Sequence, residues 1–174
     1  PGRKTVRGRN QLALDFSRKE VRDYVFSQIC NVFDQANIEY VKWDLNRSLS
    51  DIYSLENYQG KVIYDYVLGV YEFLEKLLNR YPDILIESCS GGGGRFDAGM
   101  MYYSPQIWCS DNTDAVDRVR IQYGTSFFYP VSTMGAHVSA VPNHQTGRCV
   151  SLHTRGIVAM AGTFGYELDP AKLS

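Results

Sequence analysis

The chain has 174 residues, of which 44% are hydrophobic and 13% aromatic, enough for one globular domain with a hydrophobic core. Its formal net charge is −1, and no basic stripe or charge block indicates a nucleic-acid partner or a disordered tail. No apolar run reaches the roughly 18 residues of a membrane span, and the chain begins without Met or an apolar targeting segment. We therefore expect an internal piece of a longer protein, with neither a nucleic-acid partner nor a membrane partner.

Apolar runs and alternating patterns predict a series of strands along the chain. We expect strands at 11–16, 38–43, 84–88, 106–110 and 126–130, with a helix and a sixth strand in the weaker apolar stretch 157–164.

Helices are predicted between these strands. Ser17 and Glu20 have the S-x-x-E spacing of a capping box and predict a helix start. Apolar residues at helical spacing predict a long helix over 63–78, stopped by Pro82, and a short one near 116–123, while 45–60 is a long polar loop.

Strands that alternate with helices indicate βαβ units and a parallel sheet. A complete eight-stranded barrel takes about 250 residues, so this chain holds about five to six units, and the missing ones are expected to be N-terminal. An open doubly wound sheet is the alternative. It would concentrate functional residues at one switch point, whereas here polar residues follow nearly every strand.

Lys42 and Asp44 lie two residues apart at the end of a predicted strand, so both side chains share one face. The adjacent ammonium favours an ionised carboxylate, which suits a nucleophile or an electrostatic stabiliser. A structural ion pair at the strand end is the equally open alternative. Asn46, two residues further on, could offer its amide to a ligand hydroxyl.

A second candidate carboxylate, Asp111, follows Trp108, Cys109 and Ser110. Beside aromatic surface a carboxyl group tends to stay protonated, which suits a general acid. A pair of carboxylates at strand ends is typical of the active site of a glycosidase. The later Asp114 and Asp117 are expected to cap and decorate the following helix. The sixth-position glycine of a calcium loop is absent.

The four glycines Gly91–Gly94 allow two interpretations. A phosphate cradle is one, although no G-K-[ST] follows. We favour the other, a backbone that lies close under a sugar, because only glycine permits such an approach. Arg95 could then pair with a nearby carboxylate, and it is a candidate substrate-binding residue. Trp43 and Trp108 adjoin the candidate carboxylates and are candidates for stacking on a sugar.

The cysteines (30, 89, 109 and 149) form no C-x-x-C pair, and the histidines (137, 144 and 153) lack H-E-x-x-H spacing. We therefore expect no metal and no cofactor, with His144 as a loop anchor. Reduced thiols favour a cytoplasmic location.

Five segments together resemble the α-galactosidases of glycoside hydrolase family 36, and the resemblance runs nearly end to end. They are K-W-D-x-N at 42–46, E-S-C-S-G-G-G-G-R-F-D at 87–97, W-x-S-D-N-T-D-A at 108–115, Y-P-x-S-x-M-G-A-H-V-S at 129–139 and F-G-Y-E-L-D at 164–169. Matched position by position, Asp44 resembles the family's nucleophile and Asp111 its acid/base. The resemblance also implies galactose contacts at Arg9, Lys42, Asn46, Cys89 and Gly91.

The resemblance implies a retaining, two-step hydrolysis of terminal α-galactosyl residues in sugars of the raffinose and melibiose type. Transfer of galactose by an enzyme of the same family, or sugar binding without turnover, are the alternatives. It also implies a homo-oligomeric parent, for which a tetramer is one form. Family members carry an N-terminal β-sandwich, two earlier barrel strands and a C-terminal β domain that are not in this chain. The expected fold is therefore α/β, a partial (β/α)8 TIM barrel with a parallel sheet. Residues 1–174 would supply approximately its third to eighth strands, the C-terminal two-thirds to three-quarters of the catalytic domain.

Overall fold

The structure is a computed structural model that describes residues 4–50, 52–54 and 58–172. In that part of the chain helices alternate with strands, which confirms the α/β class. The strands are β1 (Tyr40–Asp44), β2 (Leu85–Cys89), β3 (Gln106–Trp108), β4 (Met134–Ser139) and β5 (Thr163–Glu167). The helices are α1 (Lys19–Phe33), α2 (Val62–Arg80), α3 (Ala98–Tyr103), α4 (Ala115–Ser126) and α5 (Leu152–Ala159). Short 3₁₀ turns cover Gln59–Lys61, Val131–Thr133 and Pro170–Lys172.

The strands follow one another in the sheet in chain order, β1-β2-β3-β4-β5. The pairs β2–β3, β3–β4 and β4–β5 are parallel, as the alternation of strands and helices predicts. Parallel neighbours end at the same edge of a sheet, and ligands bind at that edge in open and closed α/β folds alike. The chain divides into two compact units, Pro1–Ile86 and Glu87–Ser174, which are described separately below.

The first unit is built around the apolar face of α2. Its buried residues recur at helical spacing and include Val70, Phe73, Leu74 and Leu77. Phe16 packs edge-on against Phe73 at 5.3 Å between ring centroids. Fully burying a side chain of this size contributes about 1.5–3 kcal/mol, so α2 is the main stabilising element of this unit.

The core of the second unit lies on one face of its sheet. Met134, Ala136 and Val138 alternate along β4 and are all buried. Ile107 of β3 is buried beside them, since it pairs with Met134. Helix α5 packs against β4. Gly135, His137 and Ser139 alternate with these residues along β4 and lie on the opposite face of the sheet.

The strand predicted at 11–16 is wrong. Gln11 forms only an isolated bridge with Gly8, and 12–15 have no regular structure. Leu12 and Leu14 are 54% and 55% exposed, so only Phe16 of this alternating segment reaches the core. The capping box is wrong as well: α1 begins after Arg18, while Ser17 bonds to Asp15.

The strand predicted at 126–130 is also wrong, because α4 continues to Ser126 and the strand begins only at Met134. Phe127 and Phe128 are 67% and 83% exposed, so the aromatic run that suggested a strand lies on the surface. The stretch 157–164 holds the end of α5 and the start of β5. The described residues therefore contain five strands rather than six, and α3 was not expected.

Within the described ranges, no helix combines the length and the apolar character that crossing a membrane requires.

Candidate active site

The first unit places three of the predicted site residues in one hydrogen-bonded chain. Asp44 is the last residue of β1, and Lys42 shares its face of the strand. The side-chain amide of Asn46 donates to Asp44 Oδ2, and Arg9 Nη1 donates to Asn46 Oδ1. The chain from Arg9 through Asn46 orients the Asp44 carboxylate at the strand end, as a nucleophile requires.

Arg9 reaches Asn46 from a tight turn. Gln11 N donates to the Gly8 carbonyl at 2.8 Å, and the two central residues, Arg9 and Asn10, have φ values of +50° and +60°. Two positive φ values in succession define a type I′ turn, for which arginine is an unusual residue. Backbone strain of this kind is concentrated at functional sites and supports a role for Arg9 there.

The second unit places Asp111 three residues beyond the end of β3, above the glycine loop. A Cβ at Gly92 would lie 2.8 Å from Asp111 N and 2.8 Å from Ser110 Cα, and one at Gly93 would lie 2.8 Å from the Cys109 carbonyl oxygen. The glycines therefore let the loop backbone pack against the 109–111 backbone. The neighbour that the structure shows is thus a protein segment, and the sugar expected above this loop from the sequence stays a prediction.

Gly91 and Gly92 also have positive φ values, +54° and +86°, which other residues adopt only with strain. Arg95 Nη2 donates to the Cys89 carbonyl at 2.8 Å, across the base of the loop. Arg95 thus helps to hold the glycine loop at the end of β2.

Asp114 caps α4, as predicted. It accepts hydrogen bonds from Val116 N at 2.9 Å and Asp117 N at 3.1 Å. Thr146 Oγ1 donates to the same carboxylate at 2.7 Å, and Arg148 pairs with it. Burial raises the pKa of Asp114, but the bonds from Thr146 and the two amides, together with the charge of Arg148, outweigh burial and hold that pKa below its usual range.

This network ties the segment after Asp111 to the loop 143–148. Asn143 is buried and donates to Thr113 Oγ1 at 3.0 Å, while its own Oδ1 accepts from Gln145 N and Thr146 N. His144, the predicted loop anchor, is exposed. The anchor is therefore its neighbour Asn143, which sequence reasoning missed, as it missed Thr146 and Arg148.

Both tryptophans pack against other side chains. Trp43 packs against Phe73 at 5.2 Å and Phe16 at 6.4 Å between centroids, on the face of β1 opposite to Asp44. Trp108 is 2% exposed, stacks on His137 at 4.7 Å and carries the Arg118 guanidinium 4.0 Å from its ring centre. These contacts give both rings packing roles, and the sugar contacts expected from the sequence stay predictions.

A cavity of about 430 Å³ lies in the first unit, lined by residues of 4–15 and 47–66 such as Asp15, Arg47 and Tyr66. None of Arg9, Lys42, Asp44 and Asn46 is among its lining residues, so the cavity is not the site of the predicted chemistry. No group of three His, Cys, Asp or Glu side chains that could hold a metal occurs among the residues that the structure describes.

Each unit thus carries one aspartate at or just beyond a strand end, the first bonded to an arginine–asparagine chain and the second packed on a glycine loop. Carboxylates are the catalytic groups of most glycoside hydrolases. The model of the melibiase family matches residues 1–174, and the chain belongs to that family.

Curated relatives and solved structures agree with this family. The chain is 75% identical over 173 residues to the bifunctional alpha-galactosidase/sucrose kinase AgaSK of Mediterraneibacter gnavus, covering 99% of this chain and 18% of that protein. It is 58% identical to the alpha-galactosidase Mel36A of Lactobacillus acidophilus, covering 100% of this chain and 24% of that protein.

The crystal structure of the α-galactosidase AgaA from Geobacillus stearothermophilus matches with a TM-score of 0.95 at 58% identity, over 100% of this chain and 25% of that one. Structures of AgaA variants are in complex with raffinose and with stachyose. The chain thus spans between 18% and 25% of the length of these relatives.

Proposed function

We propose that the full-length protein is a retaining α-galactosidase that acts on α-galactosides of the raffinose and melibiose type. The observation that carries the proposal is the pair of strand-end aspartates, Asp44 bonded to Asn46 and Asp111 packed on the glycine loop, in a chain of the melibiase family. The AgaA complexes with raffinose and stachyose support the substrate class. The transferase alternative is not favoured, because the relatives described above are all named α-galactosidases.

Asp44 is the proposed nucleophile. Its carboxylate attacks the anomeric carbon of the galactosyl group while Asp111 donates a proton to the departing glycosidic oxygen. Asp111 then takes a proton from water, which hydrolyses the covalent galactosyl-enzyme intermediate. Two displacements return the α configuration of the substrate.

Five residues are proposed to contact the galactose. Lys42 and Asn46 lie beside Asp44 at the end of β1, and Arg9 is bonded to Asn46. Cys89 ends β2 and Gly91 follows it in the glycine loop. Hydrogen bonds from such groups fix the sugar and supply binding energy at the reacting centre.

The chain is proposed to form part of a TIM-barrel catalytic domain. The five strands described then correspond to the fourth to eighth strands, and the segment 11–16 takes the place of the third. All four cysteines are free thiols, which supports the proposed cytoplasmic location. A homo-oligomeric parent, with a tetramer as one form, is part of the same proposal.

The test uses nucleophile rescue in the full-length protein. Asp44→Asn abolishes hydrolysis of an aryl α-galactoside, because no covalent intermediate can form. Added azide restores turnover and gives β-galactosyl azide, the product of a single displacement. Asp83→Asn, which replaces an exposed aspartate between α2 and β2, is the control and keeps full activity. Full activity of Asp44→Asn would refute the assignment.

The acid/base role is tested separately. Asp111→Ala lowers kcat/KM for raffinose by about 10²- to 10⁴-fold, the usual contribution of a general acid. Substrates with strongly acidic phenols keep most of their rate, because they leave without protonation. Azide then gives the α-galactosyl product. Equal losses across a leaving-group series would mean that Asp111 is not the acid.

A further inference from the structure

Arg118 is a buried cation that the proposed mechanism does not use. It is 3% exposed and stands four residues after Asp114, the N-cap residue of α4. Its Nη2 donates to the Ser110 carbonyl at 2.9 Å, and its Nη1 donates to Cys109 Sγ at 2.9 Å. Its guanidinium also covers the ring of Trp108. These three contacts fall on the segment 108–110, immediately before Asp111, and Nη1 also donates to the Gly135 carbonyl of β4 at 3.5 Å.

A buried guanidinium is costly unless the surrounding groups compensate for its lost hydration. Burial lowers the pKa of Arg118, and the nearby Cys109, Glu167 and Asp111 act in the opposite direction. An apolar side chain could fill this place without such a cost. The directed donors are therefore the property that distinguishes arginine here.

The bond to Ser110 acts directly on the backbone of Asp111. The Ser110 carbonyl and the Asp111 nitrogen belong to one rigid peptide plane. Arg118 holds the oxygen of that plane, and the backbone of Gly92 lies against its nitrogen. With both ends of the plane fixed, the Cα of Asp111 has little freedom to move.

Arg155 provides an internal comparison. It stands four residues after Ser151, the N-cap residue of α5, and is also buried. It donates to the carbonyl of Ser139, the last residue of β4, and to the carbonyl of Val150, in the loop before α5. These bonds have the same form as those of Arg118 but fall outside the segment that carries Asp111.

We propose that Arg118 is a positioning residue of the acid/base, which fixes the Ser110–Asp111 peptide so that the Asp111 carboxyl group can reach the glycosidic oxygen. This inference rests on the proposed α-galactosidase function. It concerns proton donation only, so the loss of kcat/KM in an Arg118 variant must be largest for the leaving groups that most need a proton.

The experiment measures kcat/KM of the full-length protein on raffinose and on aryl α-galactosides whose phenols differ in acidity. Arg118→Met keeps the aliphatic stem and removes the donors. The expected loss is about 10²-fold on raffinose, as for a displacement of about 1 Å at a catalytic group. On the most acidic phenol the loss is expected to stay below about threefold. Arg155→Met lowers the melting temperature but reduces kcat/KM equally across the series.

Arg118→Lys keeps the charge but cannot hold both acceptors in the same fork geometry. It is expected to show the same dependence on the leaving group with a smaller loss, and it tests the inference if Arg118→Met does not fold. Equal losses across the series for the folded Arg118 variant would overturn the inference. Asp111→Ala, measured on the same substrates, separates a failure of the Asp111 assignment from a failure of the positioning role of Arg118. A flat series for Asp111→Ala refutes the acid/base role on which the inference rests, whereas a steep one beside a flat Arg118 series refutes only the positioning role.

Discussion

Replacing Gly92 with alanine tests the contact between the glycine loop and the acid/base segment. The added methyl group would lie 2.8 Å from Asp111 N and 2.8 Å from Ser110 Cα, closer than real Cβ atoms approach such neighbours. Both neighbours are backbone atoms, so no side chain can turn away to make room. The residue must also keep a φ of +86°.

The expected loss of stability is the sum of two costs, the positive φ and the clash of the added methyl group. A left-handed backbone costs an alanine about 1–2 kcal/mol, and an extra methyl group forced into a packed site costs about 1–3 kcal/mol. If the loop keeps its place, Gly92→Ala destabilises the fold by about 2–5 kcal/mol, the sum of both terms. If the 109–111 segment moves instead, Asp111 is displaced, and activity falls by up to about 10²-fold.

Gly147→Ala is the matched control. Gly147 also has a positive φ, +70°, but no atom lies within 4 Å of the position that an added Cβ would take. Gly147→Ala should therefore be destabilised only by the left-handed backbone, by about 1–2 kcal/mol, and should keep its activity. Melting temperature and kcat/KM on raffinose, measured for both variants of the full-length protein, complete the comparison. The reasoning fails if the two variants are equal in both measurements.

Three further predictions concern the charged residues. Lys42→Ala should weaken galactose binding by about 10- to 150-fold, since a charged hydrogen bond contributes about 1.5–3 kcal/mol; a galactose titration showing unchanged affinity with a lower melting temperature would refute the ligand role. Burial raises the pKa of Asp114, but bonds from Thr146 and backbone amides outweigh burial and lower that pKa from 3.8. The ionised Asp114 carboxylate therefore stabilises the fold fully above about pH 4, and this stabilisation is lost as the pH falls through the lowered pKa of the folded state. Asp114→Asn should therefore be less stable than the wild type near neutral pH and lose less stability on acidification, as unfolding at a series of pH values will show; parallel acid losses would contradict this. In a galactose complex of the full-length protein, the carboxyl groups of Asp44 and Asp111 should lie about 5–5.5 Å apart, whereas a separation beyond about 9 Å would exclude a retaining pair.

Local patterns were sufficient to predict the elements whose chemistry is local. The apolar stripe of α2 predicted a long helix, and the structure places it at Val62–Arg80. The capping role of Asp114 depends on amides two and three residues away, so it could also be predicted. The strand position of Asp44 followed from the β-forming run that precedes it.

The errors arose where distant packing decides the structure. The alternation at 11–16 and the aromatic run at 126–130 are typical of strands, but neither segment pairs as one here. Strand formation needs a neighbouring strand, which a local pattern does not supply. The bond between Thr146 and Asp114 joins residues 32 positions apart, and the local sequence around either residue does not predict it.

The arginines near the helix starts have a consequence for local unfolding. Arg22, Arg118 and Arg155 each stand four residues after a helix N-cap and donate to a carbonyl of the segment that enters the helix. Such a segment cannot open without breaking a bond to the first turn of the helix behind it. Amide hydrogens of these segments should therefore exchange with solvent together with the helix starts, as one cooperative unit. An exchange of loops between relatives should keep each arginine with its loop, because a loop moved alone would lose the tether that sets its flexibility.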